Sequence, residues 1–309
     1  MLRPVEIEDI PVENEHLVVS LNEYGSINIH DNETGCLFEN LNVYEDGADD
    51  GDEYDFAPLR EEKLLYSTTC KANYRILSEN ELFTRVEANV RFDVPYELLG
   101  DLNSVRTRSE RKVPLNISTV YTIYKKLKRI DVKTNLVNRA KGHRLRALFP
   151  VGFRAKHSYA DDHFMVMKRT VELPRDDGWY QDMQGLYHQD SFVDLIYLED
   201  QKPPEEQGVG LAIFNRGLCE YEIIKTPQSL CQNQEGHSIA LTLYRSVAWL
   251  SQRGHLGRKS GLNGPNLQTP GAQLMDKEFD FEYSIYCHEG NWETGNVYLA
   301  AHAYNSPPR

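Results

Sequence analysis

Leu115-Asn116-Ile117-Ser118-Thr119-Val120-Tyr121-Thr122-Ile123 is the stretch that decides the fold class. Every second residue (Leu115, Ile117, Thr119, Tyr121, Ile123) suits a buried sheet face, which is the period-2 signature of a strand with one side in the core. The basic pentamer Lys125 to Arg129 then reads as a solvated turn, and Ile130, Val132, Thr134 and Leu136 resume the alternation. Upstream, Leu17, Val19 and Leu21 are followed by Glu23-Tyr24-Gly25 and by Ile27 and Ile29, the pattern of a hairpin. Downstream, Ile239, Leu241 and Leu243, and then Phe279, Phe281, Tyr283 and Ile285, repeat it. Helical periodicity is scarce, and its best candidate, Glu79 to Glu87, fits alternation at least as well. Many strands without amphipathic helices imply antiparallel sheets packed face to face, closing or stacking to hide their edges. The expectation is an all-β protein, a large antiparallel β-sandwich.

The 309 residues suffice for a sizeable buried core. Apolar residues at 40% and charged residues at 26% exclude collagen-like, low-complexity and wholly disordered classes. With 47 acidic against 34 basic residues the net charge is −13, which disfavours nucleic acid and anionic membrane surfaces as partners. No apolar run approaches the length of a membrane span. Five widely spaced cysteines without a Cys-x-x-Cys pair read as reduced packing residues, and a cytoplasmic setting is expected. The chain reads as one β-domain over residues 1–309, with 1–14 as a linker. Long loops are expected at Arg175 to Gly178, Glu199 to Gly208 and Gly254 to Gly271.

Three segments could carry chemistry. Glu45 to Pro58 places seven carboxylates in the eleven positions from Glu45 to Asp55. As an EF-hand it fails, because Ala48 and Ala57 stand where ligands are needed. It reads either as a solvated acidic loop or as the setting for Tyr54, whose phenol can stack on a sugar ring and hydrogen-bond to it. On a strand, Arg144 and Arg146 share one face with Leu145 and Ala147 on the other, which suggests ion pairs with acids of a neighbouring strand. Tyr244 to Leu250 reads as a buried strand running into a Gly/Pro loop that carries Arg253 and Arg258. No zinc-protease, serine-hydrolase or phosphate-loop motif is present.

Four segments in order resemble the C-terminal β-domain of glycoside hydrolase family 38, the α-mannosidases, in the bacterial branch that includes mannosylglycerate hydrolases. They are Gly51 to Pro58; His143 to Arg146 through Phe149-Pro150; Ser191 to Asp194 followed by Asn215 to Glu222; and Arg245-Ser246 to Ser251 with Thr269 to Gln273. The resemblance implies a β-supersandwich of the galactose-mutarotase type. It also implies that hydrolysis belongs to a preceding α/β domain where His and Asp residues hold zinc and an Asp is the nucleophile. That domain is missing from this sequence. The chain alone is therefore expected to be inactive, with no catalytic residue or metal ligand of its own, zinc residing in the catalytic domain of the parent chain.

What the resemblance assigns here is a cleft wall facing an α-mannoside. Tyr54 matches the substrate-contacting tyrosine of the family's Gly-x-Tyr-x-Phe-x-Pro type loop, with Asp55 beside it. Arg258 matches an arginine that follows an Asp-Asp-Leu stretch in relatives, a stretch replaced here around Gly254-His255. A homo-oligomer is compatible with the sequence. The competing reading is a self-sufficient carbohydrate-binding or mutarotase-like module; an epimerase would pair a His with a Glu in one pocket, from candidates such as His143, His188 and Glu220. A third reading is a structural scaffold.

Overall fold

The structure, a computed structural model, describes residues 3–4, 12–101, 105–174, 183–197, 208–231, 236–252 and 265–306. Among these residues the fold is antiparallel β-sheet with a single α-helix. The stretch Leu115 to Ile123 lies within the strand Lys112–Tyr124, whose Leu115, Ile117, Thr119, Tyr121 and Ile123 are all buried. This strand is central to a ten-stranded sheet. In spatial order the sheet runs Arg3–Pro4, Ala72–Glu79, Phe83–Pro95, Lys112–Tyr124, Arg129–Val137, Glu278–Glu289, Val209–Asn215, Phe192–Tyr197, His157–Asp162 and Met165–Thr170.

A six-stranded sheet packs against it, ordered Leu186–His188, Glu220–Lys225, His237–Ser246, His143–Pro150, Val43–Ala48 and Leu65–Tyr66. A four-stranded sheet, Val12–Glu13, Leu17–Leu21, Ile27–Asp31 and Leu37–Leu41, completes the enclosure. One continuous core draws on all three: Ile27 and Ile29, Val86 and Tyr121, Leu145, Phe149 and Leu241 belong to it. Across its middle runs a buried polar chain. The Tyr44 hydroxyl meets Thr119 at 2.6 Å and Thr134 at 3.0 Å, and the Tyr283 hydroxyl donates to Asn42 at 2.7 Å. Satisfying each hydroxyl inside the core fixes the two large sheets in one register, because a slip would orphan these groups.

Several expectations are met and several are corrected. The hairpin at Leu17 to Ile29 is present, with Gly25 at φ +94°, a conformation that suits glycine. The basic pentamer is a turn, yet not simply solvated: Lys128 bridges the buried Asp31 at 3.0 Å and Glu33 at 2.7 Å. Two parts of the stretch read as a linker are strands, Arg3–Pro4 against Arg75 and Ile76, and Val12–Glu13 against Val18 and Val19. The helix Val297–Asn305 was not foreseen. It covers the outer face of the ten-stranded sheet with Val297, Ala301 and Tyr304, packed on Phe192, Ala212 and Phe214. Three buried positions in nine residues give too short a repeat to stand out from a tyrosine-rich β sequence. Of the expected long loops, Arg175 to Gly178 lies outside the described residues, as do Glu199 to Gln207 and most of Gly254 to Gly271.

All five cysteines are free. No helix among the described residues is long and apolar enough to cross a membrane.

Candidate functional site

Strand alternation builds the site on the outer face of the six-stranded sheet, away from the main core. Leu145, Ala147 and Phe149 point into the core, so their neighbours Arg144 and Arg146 point outward. In the next strand Tyr44 faces the core and Glu45 turns out. In the strand Glu220–Lys225, Tyr221 is in the core and Glu220 and Glu222 turn out. A bulge between Leu145 and Arg146 pairs Leu145 with Tyr244 and Arg146 with Thr242, which leaves Arg245 opposite Arg144 on the charged face.

The ion pairs expected of the two arginines form. Arg146 donates through Nε to Glu45 Oε1 at 2.7 Å and through Nη1 to Glu222 Oε2 at 2.5 Å. Arg144 lies 3.5 Å from Glu222 and 3.9 Å from Glu220, and its Nη1 is buried without a hydrogen bond. Burial, together with the adjacent Arg146 cation, pulls the Arg144 pKa down to about 10, so it stays charged at neutral pH. Its plane is covered by Phe56, whose ring centroid is 3.5 Å from the guanidinium carbon, a cation–π contact that replaces water over the arginine.

Phe56 belongs to the acidic loop, and here the solvated reading is corrected. Of its seven carboxylates, Glu45, Asp46, Asp49 and Asp52 are buried. Asp46 receives His143 Nδ1 at 2.6 Å and pairs with Arg108. Asp49 is gripped by Arg245, Nε to Oδ2 at 2.6 Å and Nη2 to Oδ1 at 3.1 Å, and its Oδ1 also accepts the Gly51 amide at 3.0 Å. Burial opposes the charge of Arg245, and the Asp49 carboxylate outweighs it, so the Arg245 pKa rises. The same guanidinium donates to the carbonyls of Asp52 and Asp55, each at 2.9 Å. Asp52 folds the tip: its Oδ1 accepts the amides of Tyr54 and Asp55, both at 3.0 Å, and its Oδ2 accepts the Gln252 amide at 3.0 Å. Such a carboxylate caps a turn from within. Gly51 is required by close approach, since a Cβ there would stand 2.0 Å from the Asp55 carbonyl oxygen.

The product of this bracing is Tyr54, 68% exposed at the loop crest. Asp55 is half-buried beneath it, and Arg258 lies outside the described residues. The four segments that carry the family resemblance therefore meet on one sheet face. The loop comes from the first, Arg144 and Arg146 from the second, Glu220 and Glu222 from the third, and Arg245 from the fourth. Pro270–Gln273, also of the fourth, forms a 3-10 turn whose Gln273 carbonyl accepts the Ser246 hydroxyl at 2.7 Å.

Of the three residues weighed for an epimerase, His188 and Glu220 are cross-strand neighbours in the pairing of Leu186–His188 with Glu220–Lys225, and His143 lies apart from them. His143 is fully buried against Asp46 and Asn138. His188 faces Asp162 and Asp190, each at 3.5 Å, and Glu220 accepts the Thr242 hydroxyl at 2.7 Å. What sequence reading missed was the structural work of Asp49, Asp52 and Arg245; its one signal was the pairing of Asp-Gly turn chemistry with an arginine at the end of a buried strand. Among the described residues one group has the donor types and closeness for a metal ion: Asp162, His163 and His188.

Comparison with known proteins finds relatives of this chain. A provisionally named mannosylglycerate hydrolase of Halalkalibacterium halodurans is 29% identical over 307 residues, covering 96% of this chain and 30% of that protein. The crystal structure of an α-mannosidase from Enterococcus faecalis V583 superposes with a TM-score of 0.79 at 27% identity, over 99% of this chain and 32% of the other. A family 38 glycosyl hydrolase structure from Enterococcus faecalis matches with TM-score 0.79 and 26% identity, over 99% and 33%. The chain thus spans about a third of the length of these proteins. The family model described as "Glycosyl hydrolases family 38 C-terminal domain" matches residues 12–253. That match covers most of the chain, and with the four converging segments and the shared fold it leads to one conclusion: the chain belongs to the C-terminal domain family of the family 38 glycosyl hydrolases.

Proposed function

We propose that this chain is the β-domain of a retaining α-mannosidase and completes the substrate cleft of a zinc-dependent catalytic domain outside these 309 residues. The observation that carries the reading is the presentation of Tyr54: an exposed phenol on a loop whose base is fixed by buried arginine–carboxylate pairs. A rigid base lets a side chain meet a substrate without first losing its own freedom, so binding and orientation cost less. Tyr54 contacts a sugar hydroxyl, and Asp55 holds the turn and flanks the ring. Arg258 joins the same wall by resemblance. The five free cysteines support a cytoplasmic setting, where thiols stay reduced.

The test is hydrolysis of an aryl α-mannoside by this chain with added zinc, set against the same chain joined to the α/β domain of a family member. Activity is expected only in the joined form. Tyr54→Phe is expected to lower kcat/KM roughly twofold to tenfold, the worth of one neutral hydrogen bond. Activity in the isolated chain, or a joined enzyme indifferent to Tyr54→Phe, would overturn the assignment.

A further inference from the structure

At the far edge of the ten-stranded sheet, the hairpin of His157–Asp162 and Met165–Thr170 brings Asp162 and His163 beside His188, at the end of the outermost strand of the other sheet. His163 Nδ1 lies 2.7 Å from Asp162 Oδ1, and His188 Nδ1 lies 3.5 Å from the same oxygen. The two imidazoles are stacked, with centroids 5.2 Å apart and planes at 18°. The other nitrogen of His188 is 3.5 Å from Asp190 Oδ1.

We propose that Asp162, His163 and His188 form a binding site for a borderline transition-metal ion of the zinc type, with Asp190 holding the far nitrogen of His188 and water completing the coordination. Two imidazoles converging on one carboxylate oxygen supply a mixed nitrogen and oxygen donor set, which suits zinc, cobalt or nickel and disfavours magnesium and calcium. Donors about 2.1 Å from a tetrahedral zinc stand roughly 3.4 Å apart. The three donor atoms here lie within 4.8 Å of one another, a gap that rotation of the exposed imidazoles closes.

The carboxylate is the fixed member. Arg169 Nη2 donates to Asp162 Oδ2 at 2.7 Å, which leaves Oδ1 turned to the histidines. Arg169 is itself held by the Tyr221 hydroxyl at 3.3 Å and by the Tyr187 ring, 5.1 Å from its guanidinium carbon to the ring centroid. An outer group that orients a ligating carboxylate is a regular companion of metal sites. Asp162 Oδ1 also accepts the backbone amide of His163 at 2.9 Å, which fixes it at the centre of the cluster. Access is open: Asp162, His163 and Asp190 line a groove of about 750 Å³ shared with Phe164, Trp292 and Tyr298, which leaves room for water ligands.

The test uses the 309-residue chain stripped with chelator and titrated with zinc by calorimetry and with cobalt by its visible absorption. One equivalent of zinc is expected, with no displacement by magnesium or calcium. His188→Ala and Asp162→Asn are each expected to weaken zinc binding at least about tenfold, and Arg169→Gln to weaken it less. The double variant His163→Ala/His188→Ala is expected to lose the equivalent altogether, while His157→Ala, outside the cluster, binds as the parent does. Thermal melts without metal check that each variant folds, and the rise in Tm on adding zinc gives a second readout. Failure of the parent chain to bind zinc at micromolar concentration, or undiminished binding by the folded double variant, would overturn the site. The proposal does not depend on the α-mannosidase reading.

Discussion

Arg245 and Asp49 meet below the surface of one sheet, and Asp162 and His163 meet in the open at the edge of the other. The Asp49 side chain is 0% exposed and that of Arg245 17%, and six hydrogen bonds join these two side chains to the backbone and to each other. The His163 side chain is 71% exposed and His188 41%. A saturated buried cluster has little coordination left to give; its capacity goes into holding a loop, and the loop presents Tyr54. An open cluster with movable imidazoles keeps its coordination for an incoming ion. Charge density in the sequence does not separate these cases, because what differs is whether neighbouring strands close over the groups.

The contrast can be broken most directly at the clamp. Arg245→Ala leaves the Asp49 carboxylate buried without its cation, and urea unfolding is expected to show a loss of about 3 to 5 kcal/mol. A much smaller loss would mean that Asp49 reaches water and that the loop is not braced as described. Next in size is Gly51→Ala. The new Cβ would collide with the Asp55 carbonyl and come within 2.8 Å of the Ala57 amide nitrogen, so the turn must open. Overpacking of this kind costs about 1 to 3 kcal/mol, read in the same unfolding experiment. In the joined enzyme it should also impair kcat/KM, because Tyr54 loses its placement.

A smaller effect comes from pH. His237 is half-buried, and its Nδ1 accepts the Ala155 amide at 3.0 Å, which requires the unprotonated nitrogen. Burial first, and then Arg154 and Lys225 against the opposing Glu172, lower its pKa below the usual 6.5. A depressed folded pKa means that the unfolded chain takes up the proton first. The stabilisation is therefore full above pH 6.5 and is lost as pH falls through the folded value. Denaturation at pH 7.5 and pH 5.5 should show the drop, and His237→Asn, which keeps an acceptor but cannot titrate there, should shrink it. The smallest stability effect is expected at Tyr54. Tyr54→Phe should stay within about 0.5 kcal/mol of the parent, as exposed positions do, while altering catalysis in the joined enzyme. A large stability change there would remove the distinction between the residues that brace the loop and the residue it presents.

Alternation at Leu115 to Ile123 was enough to name the strand, its buried face and the class of fold, because a half-buried strand writes its two faces directly into the sequence. The same rule placed Arg144 and Arg146 opposite Leu145 and Ala147 and foretold their ion pairs. The acidic loop was legible only as composition. Its carboxylates are separated from Arg245 by nearly 200 residues, and no local pattern says that Asp49 and Asp52 turn inward while Tyr54 turns out.

The sequence by itself thus determined the β architecture, the two-faced strands and the family, since these rest on period-2 patterning and on motifs continuous along the chain. Only the tertiary structure decided which charges are sealed and which stay open. The energy of a charge is set by the dielectric and the partners around it, and those are supplied by strands distant in sequence that pack over Asp49 and leave His163 at an edge.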